Sequence, residues 1–283
     1  MNRLFYYSCI LSLILTPYSR DLIADEIIYE PFEYSAGTID DSSQSGGLGM
    51  SGNWTQTDSN GNPYSILSAG LTFTNLETSG NATARSSYSG YAKMSRQISP
   101  SSKLLLTADN TTVWFSVLIN NTRRFSTGNE WQGVVLGSNE FDLGSGSPPN
   151  ISGGEGIGLH HQNMDTIKGY VINGGTATSS ATGLDISGLQ TTYLIAGKID
   201  FFQNGTNDTL RLFNITSPLD PEPSDGDAFA TISGDLDQSI FNTLAIGSRQ
   251  YASLDEIRFA TSYYESLGRD LPITAYGTII RID

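Results

Sequence analysis

The feature that most limits what this chain can fold into is its punctuation. Short apolar runs recur along it, each bounded by Gly, Asn, Asp, Ser or Pro, and almost nothing carries a helical period. Short runs between breakers read as strands and turns. The pattern predicts strands over residues 27–34, 64–67, 71–76, 91–98, 113–120, 131–136, 156–160, 167–172, 193–202, 209–215, 244–247 and 254–259. The run VWFSVLIN at 113–120 is nearly all apolar, which predicts burial on both faces. The Asn204-Gly205 pair predicts the turn of a hairpin joining 193–202 to 209–215. One helical turn is expected at 263–267, loops at 139–155 and 217–227, and an edge strand or tail over 276–282. Many short strands at such intervals predict an all-β fold, a two-sheet antiparallel jelly-roll sandwich.

The 30 glycines are spread evenly, as turns require. With 283 residues the chain can bury a substantial core without covalent staples. Its formal charge of −14, with no basic stripe, excludes the usual routes to nucleic acid and to anionic lipid. The first residues have the form of a secretory signal: Arg3, an apolar stretch over 4–15 that is short for a membrane span, then a segment ending at Ala24. The expected organisation is a leader at 1–24, one domain at 25–267 and a C-terminal strand or tail at 268–283. That organisation implies a secreted or cell-surface protein with no membrane insertion after cleavage. Cys9 lies in the leader and is the one cysteine, so the processed chain has no disulfide.

Several segments, in order, carry a resemblance. They are Tyr29-Glu30-Pro31-Phe32-Glu33-Tyr34, Gly52-Asn53-Trp54, Ala69-Gly70-Leu71-Thr72-Phe73, Thr112-Val113-Trp114-Phe115-Ser116 and Asp208-Thr209-Leu210-Arg211-Leu212. The last is Leu254-Asp255-Glu256-Ile257-Arg258-Phe259. Together, over residues 27–267, they resemble the laminin-G-like, concanavalin A-like lectin/glucanase superfamily. More narrowly they resemble exported proteins of that type from planctomycetes and verrucomicrobia. The resemblance implies two antiparallel sheets and a concave face that binds a glycan or another extracellular polymer. It also implies a structural Ca²⁺ between the opening segment and the last strand. The matching residues are the Pro31 carbonyl, a carbonyl near Gly47, and Asp255. The alternative for Asp255 is a carboxylate that accepts backbone hydrogen bonds and holds the termini together.

A retaining glycosidase needs two carboxylates about 5 Å apart. The one-strand Glu-x-Asp spacing that the resembled glucanases use is absent, and Asp255 and Glu256, as neighbours, are expected to face opposite ways. His160 and His161 are the only histidines and also alternate in direction, too few for a zinc site. For glycan recognition, Trp131, His161, Tyr170 and Asn173 lie in segments that could line a concave face. The competing reading of Trp131 is core. Trp54 could be core or ligand-facing. The expected function is non-catalytic, lectin-like carbohydrate binding, with a polysaccharide-acting hydrolase or a matrix protein as alternatives.

Overall fold

The computed structural model describes residues 26–39, 44–57, 63–85, 92–121, 131–139, 154–162, 166–187, 190–248 and 252–270. The leader, the 276–282 strand and most of the 139–155 loop lie outside the described residues. The strands are β1 (Glu26–Glu30), β2 (Gly37–Thr38), β3 (Met50–Thr57), β4 (Tyr64–Ile66), β5 (Thr83–Arg85), β6 (Ala92–Ile98), β7 (Thr111–Asn121), β8 (Trp131–Gly137) and β9 (Gly156–Gln162). They continue with β10 (Thr166–Asn173), β11 (Thr176–Ser179), β12 (Leu184–Asp185), β13 (Thr192–Phe201), β14 (Asp208–Ile215), β15 (Ala230–Gly234), β16 (Thr243–Ser248) and β17 (Ala252–Ala260). Two helices are short: α1 (Pro100–Leu106) and α2 (Tyr263–Ser266).

Two antiparallel sheets result. The first runs β15-β14-β13-β7-β17-β5-β4-β2, with β1 also paired to β17. The second runs β11-β10-β9-β8-β16-β6-β3, with β12 paired to β10. This is the two-sheet jelly-roll sandwich that the strand pattern predicts.

Strand alternation sorts the side chains into three layers. On β7, Val113, Phe115, Val117 and Ile119 enter the inter-sheet core, where they meet Val134, Leu136, Ile157, Leu159 and Val171 from the second sheet. Trp114 and Leu118 point the other way, as expected for a strand buried on both faces. They join Phe213, Ile215, Tyr263 and Leu267 in a separate cluster on the outer face of the first sheet. Trp114 sits 5.2 Å edge-on to Tyr263 and 5.6 Å from Phe213. The second sheet has its own outer cluster, from Trp131, Val135, Tyr170, Ile172 and Ala245.

Residues 71–76 are not a strand. The Leu71 N–H donates to the Asp255 carboxylate and the Ser79 N–H to Glu256, so these amides are satisfied by side chains rather than by a ladder. Leu71, Phe73 and Leu76 instead pack onto the outer face of the first sheet. A second departure is α1, which the strand pattern did not predict. Ser99 caps it, its hydroxyl accepting from the Ser102 N–H, and Pro100 opens the first turn, where its missing N–H costs nothing.

Candidate functional site

The second sheet's outer face can be built rung by rung from its register. One rung reads Lys93, Gly247, Gly133, His160, Lys168 across β6, β16, β8, β9 and β10. The next reads Ser95, Ala245, Val135, Gly158, Tyr170 and, on β11, Ser179. A third reads Gln97, Thr243, Gly137, Gly156, Ile172, Ala177. Small residues fill the middle and polar ones the flanks. The middle is buried, whereas Lys93, Ser95, Lys168, Ala177 and Ser179 are partly exposed. None of these outward positions from β6 to β10 is Asp or Glu.

Trp131 and Tyr170 both lie on this face, but at 1% and 0% exposure they are packed rather than open stacking platforms. His161 does not join them. Cross-strand pairing sets it beside Gln132 and Ile167, on the Leu159 side that faces the inter-sheet core, where burial lowers its pKa to about 3. His160 takes the place expected of His161. Its ring lies 4.9 Å from the Tyr170 ring, and its Nε2 shares a 2.9 Å hydrogen bond with Ser179 Oγ. Burial, then the nearby Lys168 charge, then His161 lower its pKa to about 3, so it is neutral at pH 7. His160 Nδ1 and Tyr170 Oη are buried with no hydrogen-bond partner among the described residues. Burial alone raises the Tyr170 phenol. Buried polar atoms are nearly always paired, so two orphans in ring contact mark this spot. Lys168, on the rung of His160, has no ion pair among the described residues. Asn173 is exposed at the end of β10, where its amide donates to the Asp235 carbonyl.

The residues expected around a cation lie in the opening segment and on β17. Gly47 belongs to a cluster centred on Glu30. A Cβ at Gly47 would sit 2.6 Å from the Tyr29 carbonyl oxygen and 3.6 Å from Glu30 Oε2, and its φ of +79° suits only glycine. Glu30 is fully buried and accepts from the Phe32 N–H at 2.7 Å, Tyr34 Oη at 2.8 Å and Trp54 Nε1 at 2.8 Å. Arg96 completes the set at 3.1 Å and also donates to the carbonyls of Ser45, Gly46 and Gly52. The guanidinium therefore takes the carbonyl oxygens of Ser45 and Gly46, next to Gly47. Trp54 is core, stacked 6.0 Å from Phe32.

Gly80 and Gly70 stand between Pro31 and Asp255. A Cβ at Gly80 would lie 2.3 Å from the Pro31 carbonyl oxygen, and one at Gly70 would lie 3.0 Å from both Asp255 Oδ2 and the Gly80 carbonyl oxygen. Asp255 is fully buried and accepts from the N–H groups of Leu71 (2.7 Å) and Glu256 (2.9 Å). Burial pushes its carboxyl up to about 8 against the pull of those bonds, and the Glu256 charge adds to the rise. The adjacent Glu256 does not turn away as alternation predicts. The register of β17 against β7 slips between Asp255 and Arg258, and Glu256 has a φ of +51°. This bulge brings both carboxylates to the 70–80 loop, with Arg258 pairing Glu256 at 2.8 Å. Among the described residues no three His, Cys, Asp or Glu side chains gather as metal ligands.

No family model matches the chain, and no curated protein does. Among solved structures it is similar to the globular domain of T. cruzi calreticulin, at 9% identity and a TM-score of 0.49, covering 86% of this chain and 91% of that one. It is also similar to a carbohydrate esterase from the Shiga toxin-encoding bacteriophage phi24B, at 10% identity and a TM-score of 0.44, covering 84% and 99%. A legume lectin-like domain from Entamoeba histolytica matches at 11% identity and a TM-score of 0.38, covering 73% and 89%. None of these scores reaches one half, so the fold is assigned from the chain's own two sheets. No described helix is long and apolar enough to cross a membrane.

Proposed function

We propose that this chain is an exported, lectin-like carbohydrate-binding protein that contacts its glycan along the outer face of the second sheet. The observation that carries the reading is the acid-free outer face at β10 and β11, where the partly exposed Lys168 and Ser179 flank the buried His160–Tyr170 pair. Hydroxyl-rich ligands offer acceptors to the Lys168 ammonium and both donors and acceptors to the Ser179 hydroxyl. A neutral histidine suits an uncharged sugar ring. Asn173 shares the Val171 side of β10 and donates to the Asp235 carbonyl, so it stands apart from this contact. The twin-carboxylate hydrolase finds no support on this face, because its outward positions from β6 to β10 lack acids and so cannot supply the acid and nucleophile of that chemistry. A Ca²⁺ held by Asp255 with the Pro31 and Gly80 carbonyl oxygens belongs to the proposal as a structural ion. It would fasten the 70–80 loop to β17.

The test is a glycan-array screen of the purified chain, run with Ca²⁺ and with EDTA. Selective retention of one polysaccharide class supports the reading, and EDTA sensitivity implicates the ion. Silence across a broad array contradicts the reading.

A further inference from the structure

One end of the sandwich has a surface that packing does not explain. Helix α1 spans seven residues and sends Leu106 into the core, yet leaves Leu104 75% and Leu105 44% exposed. At the same end, Ile240 is 40% exposed in the 3-10 turn at residues 238–240, and Phe202 is 37% exposed just past β13. One side chain ties these segments together. Gln238 Nε2 donates both to Asp109 Oδ1, in the α1–β7 connection, and to the Phe202 carbonyl, each at 2.7 Å. Large exposed aliphatic and aromatic groups gathered on one surface mark an interaction site rather than a folding need.

The surroundings of this surface are acidic. Asp109 is exposed, and Asp235, Asp237 and Glu155 are partly exposed. Asp235 accepts from the Gly205 N–H at 2.7 Å, and Glu155 accepts from the Asp237 N–H, so the four carboxylates are fixed around the same loops. None of them is in an ion pair among the described residues. Helix α1 supplies one cation, Lys103.

We infer that this end of the sandwich docks a cationic amphipathic polypeptide segment, whose apolar face covers Leu104, Leu105, Ile240 and Phe202 while its Lys or Arg residues meet the four carboxylates. Charge decides among occupants. A second copy would bring the same acidic rim, and its net charge of −14, against the first. An anionic lipid surface is repelled for the same reason. The inference stands apart from the glycan reading, because this end shares neither His160 nor Tyr170.

The experiment titrates the whole chain into a fluorescent helical peptide made of leucine and lysine with one apolar face. A leucine and glutamate peptide of the same pattern is the control, and hydrogen exchange maps the contact. The expected result is one-to-one binding of the lysine peptide alone, with new protection confined to residues 100–110, 202–207 and 235–240. Binding weakens at least tenfold in Leu104→Ser, and severalfold in Asp109→Asn, whose side-chain oxygen still accepts from Gln238. Equal binding of the glutamate peptide, protection elsewhere on the unmutated chain, or unchanged affinity in Leu104→Ser would overturn the inference. So would self-association of the chain that Leu104→Ser abolishes.

Discussion

The outer faces of the two sheets arise from the same strand alternation and end in opposite states. On the first sheet, Trp114, Leu118, Phe213 and Ile215 are roofed by Tyr263 and Leu267 at its C-terminal end and by Leu71, Phe73 and Leu76. Rings meet rings there, and among the described residues the orphan polar atoms are Tyr263 Oη and Arg258 Nε. On the second sheet, glycines and small residues fill the middle, and two orphan polar atoms, His160 Nδ1 and Tyr170 Oη, sit on rings in contact. The first face is finished by packing. The second leaves Lys93, Ser95, Lys168 and Ser179 partly exposed, which is what a polar ligand needs.

The two buried carboxylates at the opening segment repeat the contrast. Glu30 has four donors, one of them cationic. Asp255 has two backbone N–H groups. Burial raises both carboxyls, but in Glu30 it is opposed by Arg96 as well as by neutral donors.

The largest effect is expected where a finished site is broken. Arg96→Ala leaves Glu30 charged and buried and takes a donor from the carbonyls of Ser45, Gly46 and Gly52, a loss of about 3–5 kcal/mol. Chemical denaturation checks it, and a loss below about 1 kcal/mol would make Arg96 dispensable to the opening loop. Trp114→Ala on the first face should also cost about 3–5 kcal/mol through cavity formation. Its folded fraction should retain its full glycan-array signal. A lost signal in a folded Trp114→Ala chain would break the contrast between the faces.

Asp255 should show itself through pH. Its carboxyl titrates near 3.8 when unfolded and at about 8 in the fold, so the folded state binds the extra proton between those values. The contribution to stability is full below about 4 and is lost as pH rises through about 8. Melting curves of the unmutated chain should therefore fall, relative to Asp255→Asn, as pH rises across that window. Ca²⁺, by stabilising the carboxylate, should raise the melting temperature of the unmutated chain and leave Asp255→Asn unmoved. Identical behaviour of both chains, with and without EDTA, would remove the ion from the account.

Much of the sandwich is readable in the residues, because a strand buried on both faces must be apolar throughout, as β7 is. The 193–202 and 209–215 hairpin follows from its Asn-Gly turn. β3, with the sequence MSGNWTQT, escapes notice because an edge strand needs no apolar alternation. Residues 71–76 look like a strand because their apolar side chains do pack, but nothing in the run shows that the Leu71 amide ends on a carboxylate 184 positions away, with the Ser79 amide just beyond the run ending on its neighbour. Alternation separates His160 from His161, yet it cannot say which faces outward. That depends on which sheet covers Leu159, a long-range fact. The bulge at Glu256 hides in the same way, since no glycine marks its positive φ.

The central claim rests on the partly exposed flank of the second sheet, Lys168 above all. Lys168→Met removes the ammonium and keeps the apolar stem. If the ammonium serves the glycan, the variant keeps its melting temperature, because it loses no ion pair among the described residues. The most direct measurement is the array signal of Lys168→Met beside that of the unmutated chain, with both melting temperatures recorded. The account predicts at least a tenfold weaker signal at an equal melting temperature. An unchanged signal would show that this flank does not hold the sugar.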